Sequence, residues 1–427
     1  MIMKILENII IAMKDNYICD SCLGRCMSQL LSGYSNEQRG KIIRQFVAFL
    51  VDSGEKIDVD LSNFYGIKFR NAKIKPEKPK ECKLCKNFFL EKMDDAAKKV
   101  AKKLEEVESE TFLIGTIVPN ELAKLEEDFW NKIGIEWCEP IKNEINREVG
   151  KCVEEMTKKR FDSKNPDVTI LIDFNTGKIR TQIRSLYVFG RYSKFARNVP
   201  QTKWICNECG GKGCKKCKGV GKMYKTSVQE IIEKPFLKAT GSKKSKFHGA
   251  GREDINARCL GQRPFVIEIV KPVKRRIDLK KIGKAVNKNK KVKVSGLKFT
   301  NKGMIMRLKT AKVDKTYRAV VDFAKAIDKK KLGKIKKIAS MPIIQKTPLR
   351  VVHRRADKFR KRLVKKISYK VLSKKKLELT ITSEGGLYIK ELISGDEGRT
   401  NPNIAELLNN KVKKISLDVI KIHTKGV

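Results

Sequence analysis

The second half of the chain consists mainly of short segments rich in apolar and β-branched residues, separated by runs of lysine. Segments of this kind, bounded by glycine, proline or charged residues, are typical of strands. We predict strands over residues 228–237, 264–270, 291–299, 316–322, 367–372 and 377–382, and helices over residues 279–287 and 403–408. This half is therefore predicted to be built mainly of strands.

Helical periodicity prevails in the first half. The apolar residues of a predicted helix over 91–110 share one face, with Lys and Glu opposite: Ala96, Ala97, Val100, Ala101 and Leu104. Beyond it we predict a strand over 112–118, helices over 121–133 and 141–158, and strands over 168–174 and 178–189. The sequence Asn-Thr-Gly at 175–177 favours a hairpin turn between the last two strands. This pattern predicts an α+β module.

The charge balance narrows the class of partner. The 427 residues include 96 Lys and Arg but only 48 Asp and Glu, a net charge of +48. Such an excess favours nucleic acid, because neutralising phosphates releases counterions and supplies much of the affinity. The alternative is a solvated surface in an organism whose proteins are rich in both Lys and Glu. In this sequence lysine is enriched without a matching increase in acidic residues. Basic segments over 271–276, 329–337 and 350–366 would either solvate strand edges or line a groove.

No segment predicts a membrane span. The apolar run in residues 1–17 is broken by Glu7, Asn8 and Lys14, is too short to cross a bilayer and has no small-residue cleavage site. We interpret it as an amphipathic first helix, and we expect a cytoplasmic monomer that does not bind a membrane.

Eight of the twelve cysteines form four CxxC pairs. In a reducing compartment this spacing favours thiolate metal sites over disulfides. Cys19, Cys22, Cys82 and Cys85 could share one structural zinc, although the long gap between the pairs leaves redox or unliganded thiols open. Cys206, Cys209, Cys214 and Cys217 lie within two consecutive CxxCxGxG repeats and predict a second zinc site. This hairpin resembles the cysteine repeats of the DnaJ zinc domain, but the chain has no J-domain.

Aromatic and basic residues alternate shortly before this hairpin: Tyr187, Phe189, Arg191, Tyr192, Lys194, Phe195 and Arg197. Aromatic rings that stack on bases, next to cations that contact phosphates, are typical of RNA-binding surfaces. The competing interpretation is that half of these aromatic residues belong to the core.

The strongest candidate for chemistry is Asp254. It lies in a charged turn after the glycine-rich residues 248–251 and before a predicted strand, where negative charge cannot serve to attract RNA. We predict that Asp254 is a catalytic carboxylate. Three segments are candidate neighbours, namely Tyr317, Lys390 and residues 417–419, and spacing alone does not separate them. A buried carboxylate stays ionised only beside a cation, which favours Lys390, unless Lys390 is one more surface lysine.

Four segments carry a family resemblance: GREDxxxR, which includes residues 252–258, KTYR at 315–318, TPLRVVHRRADKFRKR at 347–362 and GGLYIKELxxGDxGRTxPN at 385–403. They resemble motifs of the pseudouridine synthases, specifically the tenth Pus class, which acts on the T-loop of tRNA. The resemblance implies an α+β protein with an N-terminal zinc and THUMP-like accessory part and a C-terminal synthase domain with a mixed, mainly antiparallel sheet. The implied regions are a cysteine-pair region (1–90), a THUMP-like RNA-binding module (91–205), a zinc hairpin (206–224) and the catalytic domain (225–427).

The same resemblance implies roles for individual residues. Asp254 matches the catalytic aspartate, Tyr317 the tyrosine that stacks on uracil, and Lys390 the basic partner of the aspartate. Arg252 matches an arginine that fills the gap left by the target base. Ile389 and Leu417 match apolar residues of the base pocket, and Arg258, the second arginine of the segment, is a further candidate for substrate binding. The implied reaction needs no small-molecule cofactor, tRNA is the expected partner, and zinc is expected to be structural.

The sequence is compatible with two alternatives. In a non-catalytic RNA-binding or RNA-folding protein, Asp254 would cap a helix or pair with Arg258. Another THUMP-containing tRNA modifier ranks lower, because the sequence has neither an SGGxDS-like loop nor a glycine-rich nucleotide loop after a strand.

Overall fold

The computed structural model describes residues 2–311, 313–353 and 355–424, so that Arg354 of the predicted basic segment 350–366 lies outside the described residues. The chain forms two compact units that divide between Arg184 and Ser185. Each unit has its own hydrophobic core.

The first unit combines helices with a four-stranded sheet. Its helices are α1 (Ile2–Lys14), α2 (Asp20–Arg25), α3 (Asn36–Asp52), α4 (Phe88–Glu105), α5 (Asn120–Ile133) and α6 (Ile141–Thr157). Its strands are β1 (Thr111–Ile117), β2 (Arg160–Phe161), β3 (Val168–Asp173) and β4 (Lys178–Ile183), in the order β2-β1-β3-β4. The predicted apolar face of α4 is buried, since Ala97, Val100 and Leu104 are all inaccessible to solvent. The α+β pattern predicted for this region is confirmed.

The second unit is built on a ten-stranded sheet. Its strands are β5 (Leu186–Lys194), β6 (Lys244–Gly249), β7 (Arg258–Val270), β8 (Val292–Thr300), β9 (Asp314–Phe323), β10 (Pro342–Gln345), β11 (Arg360–Ser373), β12 (Lys376–Ser383), β13 (Thr400–Asn401) and β14 (Val412–His423). Its helices are α7 (Val228–Thr240), α8 (Leu279–Asn287), α9 (Gly303–Thr310), α10 (Leu349–Val352), α11 (Ile389–Ser394) and α12 (Ile404–Leu408).

The order of this sheet positions the candidate site. The strands run β13-β10-β11-β12-β9-β14-β7-β5-β8, with β6 paired to β7. Among the pairs described in this sheet, only β14 and β7 run parallel, with Asp418 opposite Arg258. The predicted mixed, mainly antiparallel sheet is thus confirmed. The parallel pair brings the turn that precedes β7, which contains Asp254, beside residue 417 on β14.

Two sequence predictions were wrong at the start of this unit. Residues 228–237 form helix α7 and not a strand, because Ser227 caps the helix by accepting a hydrogen bond from the Glu230 amide at 3.1 Å. The buried residues Val228, Ile232 and Phe236 also recur with helical spacing.

Residues 178–189, predicted as one strand, are β4 and the beginning of β5, which lie in different sheets. The division between the two units falls between β4 and β5, at residues 184 and 185. As a result, the cysteine hairpin is an insertion within the second unit.

Among the described helices, none has both the length and the apolar character needed to cross a bilayer.

Candidate active site

Asp254 lies in the turn between β6 and β7, and both of its carboxylate oxygens are paired with cations. Oδ1 lies 3.0 Å from Nη1 of Arg350, and Oδ2 lies 3.0 Å from Nζ of Lys390. The Asp254 side chain is 30% exposed, so it is open to a ligand while it is held from two sides. Lys390, which the sequence predicted as a neighbour, therefore contacts Asp254, and Arg350 is a second cation in contact with it.

These two cations keep the carboxylate ionised. Burial opposes ionisation of Asp254, but the positive charges of Arg350 and Lys390, with their hydrogen bonds, lower its pKa below the ordinary value. The carboxylate is therefore charged at neutral pH and can act as a nucleophile or as a base.

A buried glutamate holds Arg350 in place, and a tight turn and an asparagine position Lys390. Arg350, on the short helix α10, pairs through Nε with Oε1 of Glu391 at 2.6 Å, and Glu391 is 4% exposed. Arg350 therefore bridges two carboxylates, which requires its planar guanidinium. Lys390 is on α11, shortly after a turn in which Gly386 has φ +96°, and its ammonium also donates to Oδ1 of Asn256 at 3.2 Å.

A cavity of about 550 Å³ opens beside Asp254 and collects most of the predicted site residues. The residues predicted from sequence that line it are Arg252, Asp254, Tyr317, Ile389, Lys390 and Leu417. Further apolar lining comes from Val351, Leu387 and Val419. Tyr317 is 9% exposed, and burial raises the pKa of its phenol to about 12, so the ring enters the cavity uncharged.

Arg258, the remaining residue of the seven predicted for catalysis and substrate binding, lies outside this cavity. Its Nη2 pairs with Oδ2 of Asp418 at 2.7 Å, and the same carboxylate also binds Arg197 and Arg318. Asp418 is 3% exposed. This cluster ties β14 to the beginning of β7, and Arg258 is not among the residues that line the cavity.

A buried charge cluster supports the turn from behind. The Glu253 side chain is inaccessible to solvent; its Oε2 lies 3.0 Å from Nε of Arg263 and accepts a hydrogen bond from Tyr192 Oη at 3.0 Å. The Lys194 ammonium, also fully buried, donates to the main-chain oxygens of Val199, Asp254 and Ile255 at 2.8, 3.3 and 3.3 Å. The side chains of Tyr192 and Lys194 are both inaccessible to solvent. The RNA contact predicted for these two residues is therefore wrong, and both belong to the interior.

Sequence reasoning missed three residues at the site. Arg350 belongs to the segment over 347–362 that carried the family resemblance, and this segment was the signal that could have found it. Lys315 lies two residues before Tyr317 and lines the same cavity, and burial, together with the charge of Arg263, lowers its pKa to about 8. Nothing in the sequence singled out Lys194 as a support of the turn.

The eight cysteines of the CxxC pairs form two separate groups, one in each unit. Cys19, Cys22, Cys82 and Cys85 are one group, and Cys206, Cys209, Cys214 and Cys217 are the other; within each, the sulfur atoms lie within 4.8 Å of one another. The Sγ atoms of Cys19 and Cys85 are 3.7 Å apart, and those of Cys206 and Cys214 are 3.8 Å apart. A tetrahedron of thiolates bound at about 2.3 Å has edges of about 3.8 Å. Each group could therefore hold one metal ion.

Comparison with known proteins agrees with this geometry. The family model described as "Pus10, C-terminal" matches residues 187–423. The chain belongs to the Pus10 family. A second model of that family, "Pus10 THUMP domain, archaeal", matches residues 96–173. The resemblance inferred from the four segments and the THUMP-like module is thus confirmed.

Relatives in the Pus10 family match nearly the whole chain, and they are named tRNA pseudouridine synthases, which are isomerases. One from Methanothermobacter marburgensis is 40% identical, with 97% of this chain and 97% of the relative covered. Another from Methanothrix thermoacetophila is 37% identical, with 95% of this chain and 91% of the relative covered. A solved Cbf5-Nop10-Gar1 complex is similar with a TM-score of 0.29 and 15% identity, covering 54% of this chain and 47% of that chain.

Proposed function

We propose that this chain isomerises uridine to pseudouridine in the T-loop of tRNA, with Asp254 as the catalytic carboxylate. The observation that carries the proposal is an ionised Asp254, paired with Arg350 and Lys390, at the edge of a cavity with apolar walls and a buried tyrosine. The family name of the relatives supports tRNA as the substrate. The net charge of +48 agrees with binding a polyanion.

The residue types meet the demands of the reaction. The bond from N1 of uracil to C1′ of the ribose breaks, the uracil turns within the site, and a bond from C5 to C1′ forms. Asp254 starts the reaction either by attacking the sugar or by removing a sugar proton. C5 then loses its proton while N1 regains one, so the product is an isomer of the substrate. No oxidant, reductant or cofactor enters this balance.

The cavity must hold the detached uracil until it recombines. Ile389 and Leu417 are 3% and 8% exposed and provide apolar surface that limits water. Tyr317 offers a neutral ring against which uracil can stack. Arg252 lines this cavity, and it would occupy the gap that an extruded nucleotide leaves in the RNA.

We further propose that both cysteine groups bind zinc in a structural role. Four thiolates with tetrahedral spacing are the donor set that zinc prefers at such sites. Zinc would link the two CxxC pairs of each group. Neither group lines the cavity beside Asp254.

The decisive experiment compares wild type with Asp254→Ala and Asp254→Asn on an unmodified tRNA transcript, with pseudouridines mapped by position. We expect wild type to modify T-loop uridines, and both variants to bind the tRNA within a few-fold of wild type without modifying it. A matched control is Asp322→Asn, since Asp322 also pairs with a lysine, at 3.3 Å from Lys376, but lies outside the cavity.

Normal turnover by Asp254→Ala would overturn the assignment of the catalytic residue. Tight binding by wild type without pseudouridine formation would favour the non-catalytic RNA-binding alternative.

A further inference from the structure

A second cavity adjoins the first at Asp254. It has a volume of about 340 Å³ and shares with the first cavity a wall that includes Arg252, Asp254, Arg350 and Lys390. Tyr317 and Leu417 do not line it. Its own lining includes Trp204 and Tyr224, which lie before and after the four cysteines at 206–217 in the sequence.

The hairpin fixes this aromatic pair. Trp204 and Tyr224 meet edge to face, with ring centroids 5.6 Å apart and an interplanar angle of 83°. The main chain pairs beside them, with the Met223 amide donating to the Trp204 oxygen at 3.0 Å. Cys206 follows two residues after Trp204, and its amide donates to the Gly221 oxygen at 3.0 Å. The cysteine group thus closes the loop whose two ends carry the aromatic rings.

The lining of this cavity combines the features that bind a single-stranded nucleotide. Aromatic rings stack on bases of any sequence, and cations contact the neighbouring phosphates. Trp204 and Tyr224 supply rings, while Arg252, Arg350 and Lys390 supply positive charge. Asn198 and Thr202 add groups that can form hydrogen bonds with the edge of a base.

We propose that the second cavity binds the base of the nucleotide next to the target uridine, and that the cysteine hairpin serves to hold Trp204 and Tyr224 at that position. The proposal rests on the proposed function, because the occupant is defined by the target at Asp254. The two cavities share one wall, so an RNA strand with one nucleotide in the first cavity can place its neighbour in the second. Two separate anchors would keep the target in register against Asp254.

The test uses a T-stem-loop RNA in which 2-aminopurine replaces the nucleotide next to the target uridine. Stacking on an aromatic ring quenches 2-aminopurine, so binding to wild type is expected to lower its fluorescence. Trp204→Ala and Tyr224→Ala should lose at least half of this quenching and bind roughly tenfold more weakly, whereas Trp204→Phe should keep most of both. The matched control is Met223→Ala, since Met223 adjoins Tyr224, is 44% exposed and does not line the cavity.

The failure of this proposal is distinguishable from failure of the proposed function. Quenching and affinity that are the same in wild type, Trp204→Ala and Tyr224→Ala would overturn the second base site, even if pseudouridine still forms. Conversely, Asp254→Asn should keep the quenching, and Trp204-dependent quenching by an enzyme that forms no pseudouridine would leave the base site standing while the proposed function fails. If Trp204→Ala does not fold, unchanged quenching and affinity in the Tyr224→Ala protein still overturn the proposal.

Discussion

The side-chain nitrogen of Lys194 lies 3.3 Å from the main-chain oxygen of Asp254, although the two residues are far apart in sequence. The same ammonium binds the main-chain oxygens of Val199 and Ile255 and lies 3.5 Å from Oε1 of Glu253. A buried lysine is stable only with such partners, because an unpaired charge in the interior is costly. The turn that presents Asp254 is therefore held by its backbone, independently of what the carboxylate binds.

Replacing Lys194 with methionine should impair both stability and turnover. The change leaves buried oxygens without a donor, and we expect a loss of roughly 3–5 kcal/mol in the free energy of unfolding. We also expect a lower single-turnover rate with tRNA affinity close to that of wild type. The backbone of the turn would no longer be held in place, whereas the charged groups around Asp254 would remain. Denaturant titration, binding and single-turnover kinetics measure the three quantities.

Lys159→Met is the matched control for this change. The Lys159 ammonium donates to the main-chain oxygens of Leu104, Val107 and Ser109 in the first unit, at 3.1, 3.3 and 3.1 Å. The substitution should lower stability without slowing the single turnover of bound tRNA. Equal losses of rate in the two variants would show that Lys194 acts only through general stability.

Arg350→Lys should reduce catalysis, since one ammonium group cannot reproduce the contacts of a guanidinium with both Glu391 and Asp254. We expect a rate roughly ten- to a hundredfold lower, as is common when a reactive group is misplaced. Weakening one of the two ion pairs of Asp254 also raises its pKa towards the ordinary value of 3.8. The acid limb of the pH-rate profile should therefore move to higher pH, and an unmoved limb would contradict this role.

Lys315 should ionise near pH 8. Burial lowers its pKa to about 8, so its ammonium is charged below that pH and loses its proton above it. The folded state binds fewer protons than the unfolded state between about pH 8 and the ordinary value of 10.5, and this group therefore adds stability as pH rises through that window. The free energy of unfolding of wild type minus that of Lys315→Met, measured over this pH range, should rise with pH. A difference that does not change with pH would refute the lowered pKa.

Each cysteine group should account for one metal ion. Cys82→Ser and Cys217→Ser alter different groups in different units, so each variant should lose about one equivalent in elemental analysis while the other ion stays. Loss of both ions in either variant would show that the sites are not independent. Binding of 2-aminopurine RNA should weaken in Cys217→Ser and change less in Cys82→Ser.

The basic segment over 329–337 should contribute to affinity through salt-dependent contacts. It belongs to a 3-10 helix, Lys329–Ser340, that buries Leu332, Ile335 and Ile338 and exposes most of its lysines. Changing Lys330 and Lys334 to glutamine should weaken tRNA binding and make the dependence of log affinity on log salt shallower, by up to about 0.7–0.9 for each phosphate that the variant no longer neutralises. The rate of pseudouridine formation in bound tRNA should stay unchanged. A slower chemical step would indicate that these lysines have a different role.

Sequence patterns predicted the α+β class and most strands of the second unit, and the family resemblance predicted most of the residues that line the cavity. Patterns succeeded where the signal is local, as at the CxxC pairs, whose cysteines lie together in two groups. They failed at residues 228–237, where β-branched residues outweighed the helix cap at Ser227. They also failed at Lys194 and Arg350, since a contact across 60 or 96 positions depends on strand order, which periodicity does not contain.

The last long strand of the chain, β14, is needed to complete the cavity beside Asp254. Leu417 and Val419 form one side of the cavity, yet they are translated long after Asp254, and β14 has to enter between β7 and β9, in the middle of the sheet. Until then the nascent chain carries Asp254 beside an incomplete cavity. The compartment that we propose for uracil is therefore complete only when this late strand has emerged and inserted.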